Sequence, residues 1–200
     1  EGEQLKWSVF HDFPAQRMYS IVQEWVFPFI KNLHGNKKSA YSKYMSDAIF
    51  KVNTPLMLSK IVDAMDEIYA IMDKEQSTDV RGDVYEYLLS KLEKSGVNGQ
   101  FRTPRHIIKM MVEMTDPQPN ETICDPACGT SGFLVISGEY LKEKYKKEVL
   151  LDKKNRDHFM NDMFYGFDTD GTMLRIGAMN MMTHGIENPC IEYRDSLSDQ

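Results

Sequence analysis

Helical spacing of apolar residues dominates the first third of the chain, and after about residue 100 it gives way to short apolar runs alternating with amphipathic stretches. From Met18 to Ile30 the residues Ile21, Val22, Trp25, Val26 and Phe29 recur every three or four positions, as one face of an α-helix requires. Asn53-Thr54-Pro55 predicts the start of a second helix, with a polar cap and a proline where its missing N–H costs nothing. Leu56, Leu58, Ile61, Val62, Met65, Ile68, Tyr69 and Met72 continue that period. A shorter amphipathic element is expected over Gly82–Leu92, through Val84, Tyr87, Leu88 and Leu92, and Gly96 to Gly99 breaks it.

The second half reads differently. A helix from about Pro104 to Met114 leads into a loop, Asp116 to Glu121, that holds two prolines. Thr122–Asp125 predicts a strand, Ser131–Tyr145 a helix, Phe164–Asp168 a strand, Gly171–Thr183 a helix closed by Gly185, and Ile191–Asp195 a strand. Strand–helix–strand–helix–strand predicts an α/β fold, a doubly wound parallel sheet preceded by an N-terminal helical region. The helical region is expected over residues 1–98 and the α/β part over 99–200, with the boundary near 95–100. There is no internal repeat and no low-complexity tract.

Composition adds limits. Hydrophobic residues make up 42% of the 200 residues, enough for a proper core. Cys124, Cys128 and Cys190 lack metal-ligand spacing and read as reduced thiols of a cytoplasmic protein. No stretch reaches the length of a membrane span; Trp25 to Ile30 is interrupted by Pro28. The formal net charge of -6 leaves only local basic runs, Lys31 to Lys51 and Lys142 to Lys154, read as solvated helix surface. A DNA-binding activity would therefore draw much of its grip from elsewhere. His106, His158 and His184 are read as structural or surface residues, since no partner spacing accompanies them.

In an open parallel sheet, ligands bind beyond the carboxyl ends of the strands, and each predicted strand here ends in an acid: Asp125, Asp168 and Asp195. Asp125 opens the loop Asp125-Pro126-Ala127-Cys128-Gly129-Thr130-Ser131-Gly132-Phe133. Its glycines let backbone approach a ligand, and the helix that follows offers free N–H groups. The loop lacks both G-x-G-x-x-G and the phosphate-loop lysine, so a nucleoside-like ligand without phosphates fits better than a dinucleotide or a nucleoside triphosphate. Asp168 is placed to accept hydrogen bonds from ribose hydroxyls, while Asp170 suits the cap of the next helix. Asp195 is open to two readings, an acceptor for an adenine amine or a turn-forming residue before Ser196. Cys128 has no nearby base and reads as loop packing.

These residues resemble a known family. Asp125–Phe133 resembles the D-P-A-C-G-T-G-G-F loop of adenine-N6 DNA methyltransferases, with Ser131 where glycine is usual. Gly99-Gln100-Phe101-Arg102-Thr103-Pro104-Arg105 resembles that group's G-Q-[FY]-[FYR]-T-P segment. Gly166-Phe167-Asp168 resembles the second-strand motif, with Asp for the usual Glu, and Arg194-Asp195-Ser196-Leu197 is similar to the third-strand D-S-L. Together with Gly82–Leu88, the chain most resembles the modification (methyltransferase) subunit of Type I restriction-modification systems.

The resemblance implies a Rossmann-like class I methyltransferase fold and S-adenosylmethionine as cofactor. It implies that Gln100, Phe101, Arg102, Thr103, Pro104 and Arg105 close over the methionine end. Asp125 would meet the methionine ammonium, Thr130, Ser131 and Gly132 would line the loop, Asp168 would hold the ribose, and Asp195 belongs to the same pocket. The implied partners are double-stranded DNA, the specificity and restriction subunits, and a second copy of the methyltransferase subunit. The family's catalytic Asn-Pro-Pro-(Phe/Tyr) should follow the third strand and does not occur in these 200 residues. No catalytic or metal-binding residue is therefore assigned, and the chain is expected to be part of a longer protein. Two rivals remain: a methyltransferase acting on a non-DNA substrate, and a non-catalytic assembly module with a vestigial pocket.

Overall fold

A computed structural model of the chain describes residues 2–32, 40–75, 84, 87, 88 and 103–198. They fall into two compact units, one within residues 1–38 and 45–80, the other within 39–44 and 81–200. The boundary expected near 95–100, most of the element expected over 82–92, and Gln100, Phe101 and Arg102 lie outside the described residues.

The first unit is helical. After a 3-10 turn, Gly2–Leu5, come α1 (Trp7–Phe10), α2 (Ala15–Ile21) and α3 (Phe27–Lys31), the last two joined by a π-helical turn over Val22–Val26. In that turn the Phe27 N–H donates to the Val22 carbonyl, just ahead of Pro28, which has no N–H to continue the ordinary ladder. Phe10, Met18, Leu58 and Val62 form the buried centre, and Phe50 and Val52 pack against it. Trp25 and Phe29, on the predicted apolar stripe, are each 62% exposed, so that stripe is only partly covered within the unit.

Between these residues in sequence lies α4 (Ala40–Met45), and α5 runs Pro55–Glu75. The Asn53-Thr54-Pro55 start forms as expected: the Thr54 hydroxyl accepts the Met57 N–H at 3.2 Å.

The second unit contains α6 (Arg105–Thr115), β1 (Ile123–Asp125), α7 (Gly132–Lys144), α8 (Lys146–Leu151), α9 (Lys153–Asn161), β2 (Phe164–Asp168), α10 (Gly171–Thr183) and β3 (Cys190–Tyr193). The three strands form one parallel sheet in the order β1-β2-β3, with Ile123 opposite Phe164 and Gly166 opposite Ile191. The predicted bounds of β2 and α10 hold residue for residue. Two results differ from expectation. β3 ends at Tyr193, two residues before Asp195, and residues 146–163, to which the sequence assigned no element of their own, carry α8 and α9.

The core lies where α7 and α10 meet the sheet: Leu134, Leu141, Phe159, Met163, Phe164, Leu174, Met181 and Ile191 are essentially buried. Phe159 meets Phe164 edge to face at 5.2 Å. Residues of α4 join this unit rather than the helical one. Tyr44 is buried in its core and donates its hydroxyl to the Ile191 carbonyl, while Arg175 Nε donates to the Tyr44 carbonyl at 2.7 Å. The strap covers a backbone carbonyl of an edge strand, which would otherwise face solvent or a stray partner.

Candidate functional site

The loops after the three strands are tied to one another by short hydrogen bonds. From β2, the Phe167 carbonyl accepts the Cys128 N–H at 2.9 Å, and the Asp168 carboxylate accepts the Gly129 N–H at 3.0 Å. From β3, the Arg194 N–H donates to the Asp168 carbonyl at 3.0 Å, and the Ser196 hydroxyl donates to the Pro126 carbonyl at 2.6 Å. The Arg194 guanidinium also lies over the Phe167 ring, 5.0 Å from its centre. The acids that the sequence singled out are thereby collected along one edge of the sheet.

Asp125 and Asp168 occupy different electrostatic positions. Asp168 accepts Gly129 N–H through Oδ2 and Asp170 N–H at 2.8 Å through Oδ1. A carboxylate offers about four acceptor positions, so each oxygen keeps one for a ligand hydroxyl. Asp170, as expected, caps α10 by accepting the Thr172 and Met173 N–H groups. Asp125 has one donor in view, the Ala127 N–H at 3.1 Å. Burial pushes its carboxyl above the ordinary carboxylate range; the Ala127 hydrogen bond opposes this, and the charge of Asp168 adds to it. With one donor in view, the Asp125 carboxylate has acceptor positions left for a ligand.

The turn between them is built on unusual backbone. Gly129 has φ 50° and Ser131 φ 63°, both left-handed. Ser131 is fully buried, and its Oγ meets no hydrogen-bond partner among the described residues. It points at α10, where a Cβ on Gly177 would come within 2.5 Å of it and within 3.0 Å of the Gly129 carbonyl. Of the predicted lining residues, Ser131 therefore turns its side chain inward, leaving backbone to face the loop's open side. Gly177 was missed as part of the site. Its signal was available: a lone glycine inside a helical pattern marks close approach of another backbone.

Thr130 and Gly132 flank Ser131, and the Thr130 carbonyl accepts from Asn180 Nδ2 at 2.8 Å. Thr103 and Pro104 are exposed, with Pro104 at the cap of α6. Arg105, expected at the cofactor, donates its Nη2 to Glu139 of α7 at 2.7 Å. Asp195 is exposed and accepts the Leu197 N–H at 3.0 Å, which is the turn-forming reading. Cys128 is buried, and burial followed by the charge of Asp125 pushes its thiol up to about 12, so it is not a nucleophile. Among the described residues no group of His, Cys, Asp and Glu is arranged to hold a metal, and no helix is long and apolar enough to cross a membrane.

Comparisons with known proteins bear on the family and the fold. The chain is 32% identical over 178 residues to the Type I restriction enzyme EcoEI methylase subunit of Escherichia coli, covering 86% of this chain and 35% of that protein. It is 36% identical over 157 residues to the StySPI methylase subunit of Salmonella potsdam, covering 74% and 30% respectively. The chain thus spans about a third of the length of these relatives. Among solved structures, a chain of a type I R-M system superposes with a TM-score of 0.64 at 25% identity, over 98% of this chain and 40% of that one. A modification subunit from Vibrio vulnificus YJ016 gives 0.62 at 24% identity, over 86% and 35%, and shares the fold. The family model for N-6 DNA methylase matches residues 76–200, and the chain belongs to that family.

Proposed function

We propose that this chain forms the S-adenosylmethionine-binding part of the modification subunit of a Type I restriction-modification system, which methylates adenine in DNA. The observation that carries this reading is the knitting of the loops after β1, β2 and β3, which sets the free acceptor positions of Asp168 beside those of Asp125. S-adenosylmethionine has what those residues ask for: an ammonium for Asp125, ribose hydroxyls for Asp168, and no phosphates to fill an absent phosphate loop. When bound, it supplies an electrophilic methyl group to the exocyclic amine of adenine.

The chain's own residues bind and orient. Gly129 and Ser131 hold the loop in left-handed turns so that backbone faces the ligand, and the Asp168–Gly129 bond fixes that loop against β2. Thr103, Pro104 and Arg105 stand at the start of α6, and in this reading they and Gln100, Phe101 and Arg102 are assigned to the methionine end of the pocket and Asp195 to its adenine end. Orientation of this kind is what a direct methyl transfer needs from these residues. The amide and aromatic ring that would accept the target base belong to a segment after β3.

In this reading the parallel sheet is half of a Rossmann-like methyltransferase domain, beginning near residue 99 and preceded by a helical domain. Its partners are double-stranded DNA, the specificity and restriction subunits and a second methyltransferase subunit, and it works in the cytoplasm. The similarity to methylase subunits named from Type I systems supports this assignment.

The decisive experiment is calorimetric titration of the full-length protein with S-adenosylmethionine, comparing the unaltered protein with Asp168→Ala. Loss of charged hydrogen bonds to the ribose should weaken binding by about 1–3 kcal/mol. Equal affinity in the two proteins overturns the ribose assignment, and transfer of labelled methyl groups to unmethylated duplex DNA tests the substrate.

A further inference from the structure

In the helical unit a single carboxylate fastens α1 to α5. Trp7 Nε1 donates to Asp66 Oδ1 at 2.6 Å, and His11 Nδ1 lies 2.9 Å from Asp66 Oδ2. Trp7, Phe10 and His11 stand at i, i+3 and i+4, so they share one side of the α1 turn. Phe10, between the two polar contacts, is buried in one cluster with Leu58 and Val62 of α5. Trp7 also meets Tyr69 of α5 edge to face at 6.0 Å.

His11 has a carboxylate at each ring nitrogen. The partners of Asp66 hold its carboxyl below the ordinary range, so it is ionised and can only accept, and Nδ1 of His11 carries a hydrogen. Nε2, on the other side of the ring, lies 3.3 Å from Asp12 Oδ2. A neutral imidazole with its hydrogen on Nδ1 turns a lone pair toward Asp12. Only the imidazolium offers a hydrogen to both acids, and its charge strengthens the bond to Asp66. The hydrogen bond with Asp66 raises the imidazole above its ordinary 6.5, partial burial opposes the rise, and the charges of Asp12 and Asp66 add to it. Those two acids are the charged groups that act on the ring. Lys6 and Glu3, on the turn before α1, pair with each other at 2.7 Å, and Arg17 of α2 lies over the Phe13 ring at 3.9 Å.

We propose that α1 is a protonation-controlled clasp on α5: charged His11 joins the Asp66 and Asp12 carboxylates and holds Phe10 over Leu58 and Val62, and neutral His11 lets α1 open more often. The closed form binds the proton more tightly than the open one. Closure is therefore strongest below 6.5 and weakens as the pH rises through the raised folded value. All members of the clasp lie in the helical unit, so its behaviour is separable from cofactor binding.

The test follows hydrogen exchange by mass spectrometry in the full-length protein between about pH 5 and pH 8, where a histidine changes charge. Exchange of the His11 ring hydrogen at Cε1 reads its titration. Backbone amide exchange over residues 7–13, divided by the intrinsic rate at each pH, reads how often α1 opens. His11 should titrate above 6.5, and opening should increase with pH by the ratio of the proton affinities of the closed and open forms. His11→Gln keeps a donor for Asp66 but cannot titrate, so its opening should not vary with pH. If that variant fails to fold, Asp12→Asn replaces it: it keeps the Asp66 bond and should move the His11 titration and the opening profile together toward 6.5. Titration of His11 at or below 6.5, opening that does not vary with pH, or a pH dependence that survives in His11→Gln overturns the proposal, as does an Asp12→Asn protein with an unmoved titration.

Discussion

The helical unit and the α/β unit use similar apolar residues to different ends. In the α/β unit Leu134, Leu141, Phe159, Met163 and Met181 are fully buried, each wedged between helix and sheet. The helical unit buries Phe10, Met18, Leu58 and Val62, yet leaves Trp25, Phe29 and Leu56 more than half exposed. The carboxylates divide in the same way. Asp66 of α5 accepts from Trp7 Nε1 at 2.6 Å and from His11 Nδ1 at 2.9 Å, and these partners hold its carboxyl below the ordinary range. Asp125 is pushed above that range by burial. One acid fastens α1 to α5, and the other sits in a pocket with too few donors. In the proposed function the difference separates a carboxylate that serves the fold from one that serves a ligand.

The largest effect should come from testing the two kinds of apolar residue. Phe164→Ala empties a site enclosed by Phe159 and the sheet and should cost about 3–5 kcal/mol, as large-to-small core changes do. Trp25→Ala, in the helical unit, should fall within about 0.5 kcal/mol of neutral, as exposed substitutions do. Denaturant unfolding measures both. A Trp25 cost comparable to that of Phe164 would mean that the exposed stripe is covered by something else in the protein tested.

Legibility in the sequence follows the same division. Alternation of apolar runs and glycine punctuation located β2 and α10 to the residue, because a buried parallel strand and a capped helix each have one strong signal. The periodicity of Met18–Ile30 located helix but not burial: it states which residues share a face, not what covers that face. Residues 146–163 escaped because α8 and α9 are short and rich in lysine, so charge hid the burial of Val149 and Phe159. The positions of Asp125 and Asp168 at the carboxyl ends of β1 and β2 were legible from the apolar runs that precede them. Tyr44 of the strap was not, being 147 residues from Ile191, the residue it caps. The partner of Arg105, Glu139, could not be read, because the i,i+4 rule that finds helix pairs says nothing of pairs between helices.

The two carboxylates offer a sharper comparison, with opposite expected signs. Asp66→Asn removes an acceptor that the fold uses, so the melting temperature should fall. Its stabilisation is present above its unfolded pKa of 3.8 and disappears as the pH falls through the lower folded value. Asp125→Asn removes a charge that the fold holds at a cost, so the melting temperature of the cofactor-free protein should rise. The folded protein takes up a proton at Asp125 more readily than the unfolded chain, so this contribution to stability falls as the pH rises from 3.8 through the raised folded value. The ligand ammonium needs the charged form. Affinity for S-adenosylmethionine should therefore weaken as the pH falls through that raised value, and Asp125→Asn should weaken it about tenfold to a hundredfold at neutral pH. An Asp125→Asn protein that is less stable and binds as before would place Asp125 with Asp66, as a residue of the fold.

A smaller effect than those expected for Phe164 and the two carboxylates concerns Ser131, in the loop after β1. A left-handed backbone costs a non-glycine residue about 1–2 kcal/mol, and its buried hydroxyl, unpaired among the described residues, adds a desolvation penalty of about 1–3 kcal/mol. Glycine removes both terms but frees the unfolded chain, which costs about 0.5–1 kcal/mol, and it leaves a small gap against Gly177. At the low end of these ranges the balance favours Ser131→Gly by about 1 kcal/mol, a rise in melting temperature of about 2–4 °C for a domain of this size. A fall instead would show that the Ser131 hydroxyl has a partner in solution. The other unmatched buried side-chain atom among the described residues is Asn180 Oδ1, and Asn180→Asp and Ser131→Gly should show non-additive effects if one water or ligand atom serves both.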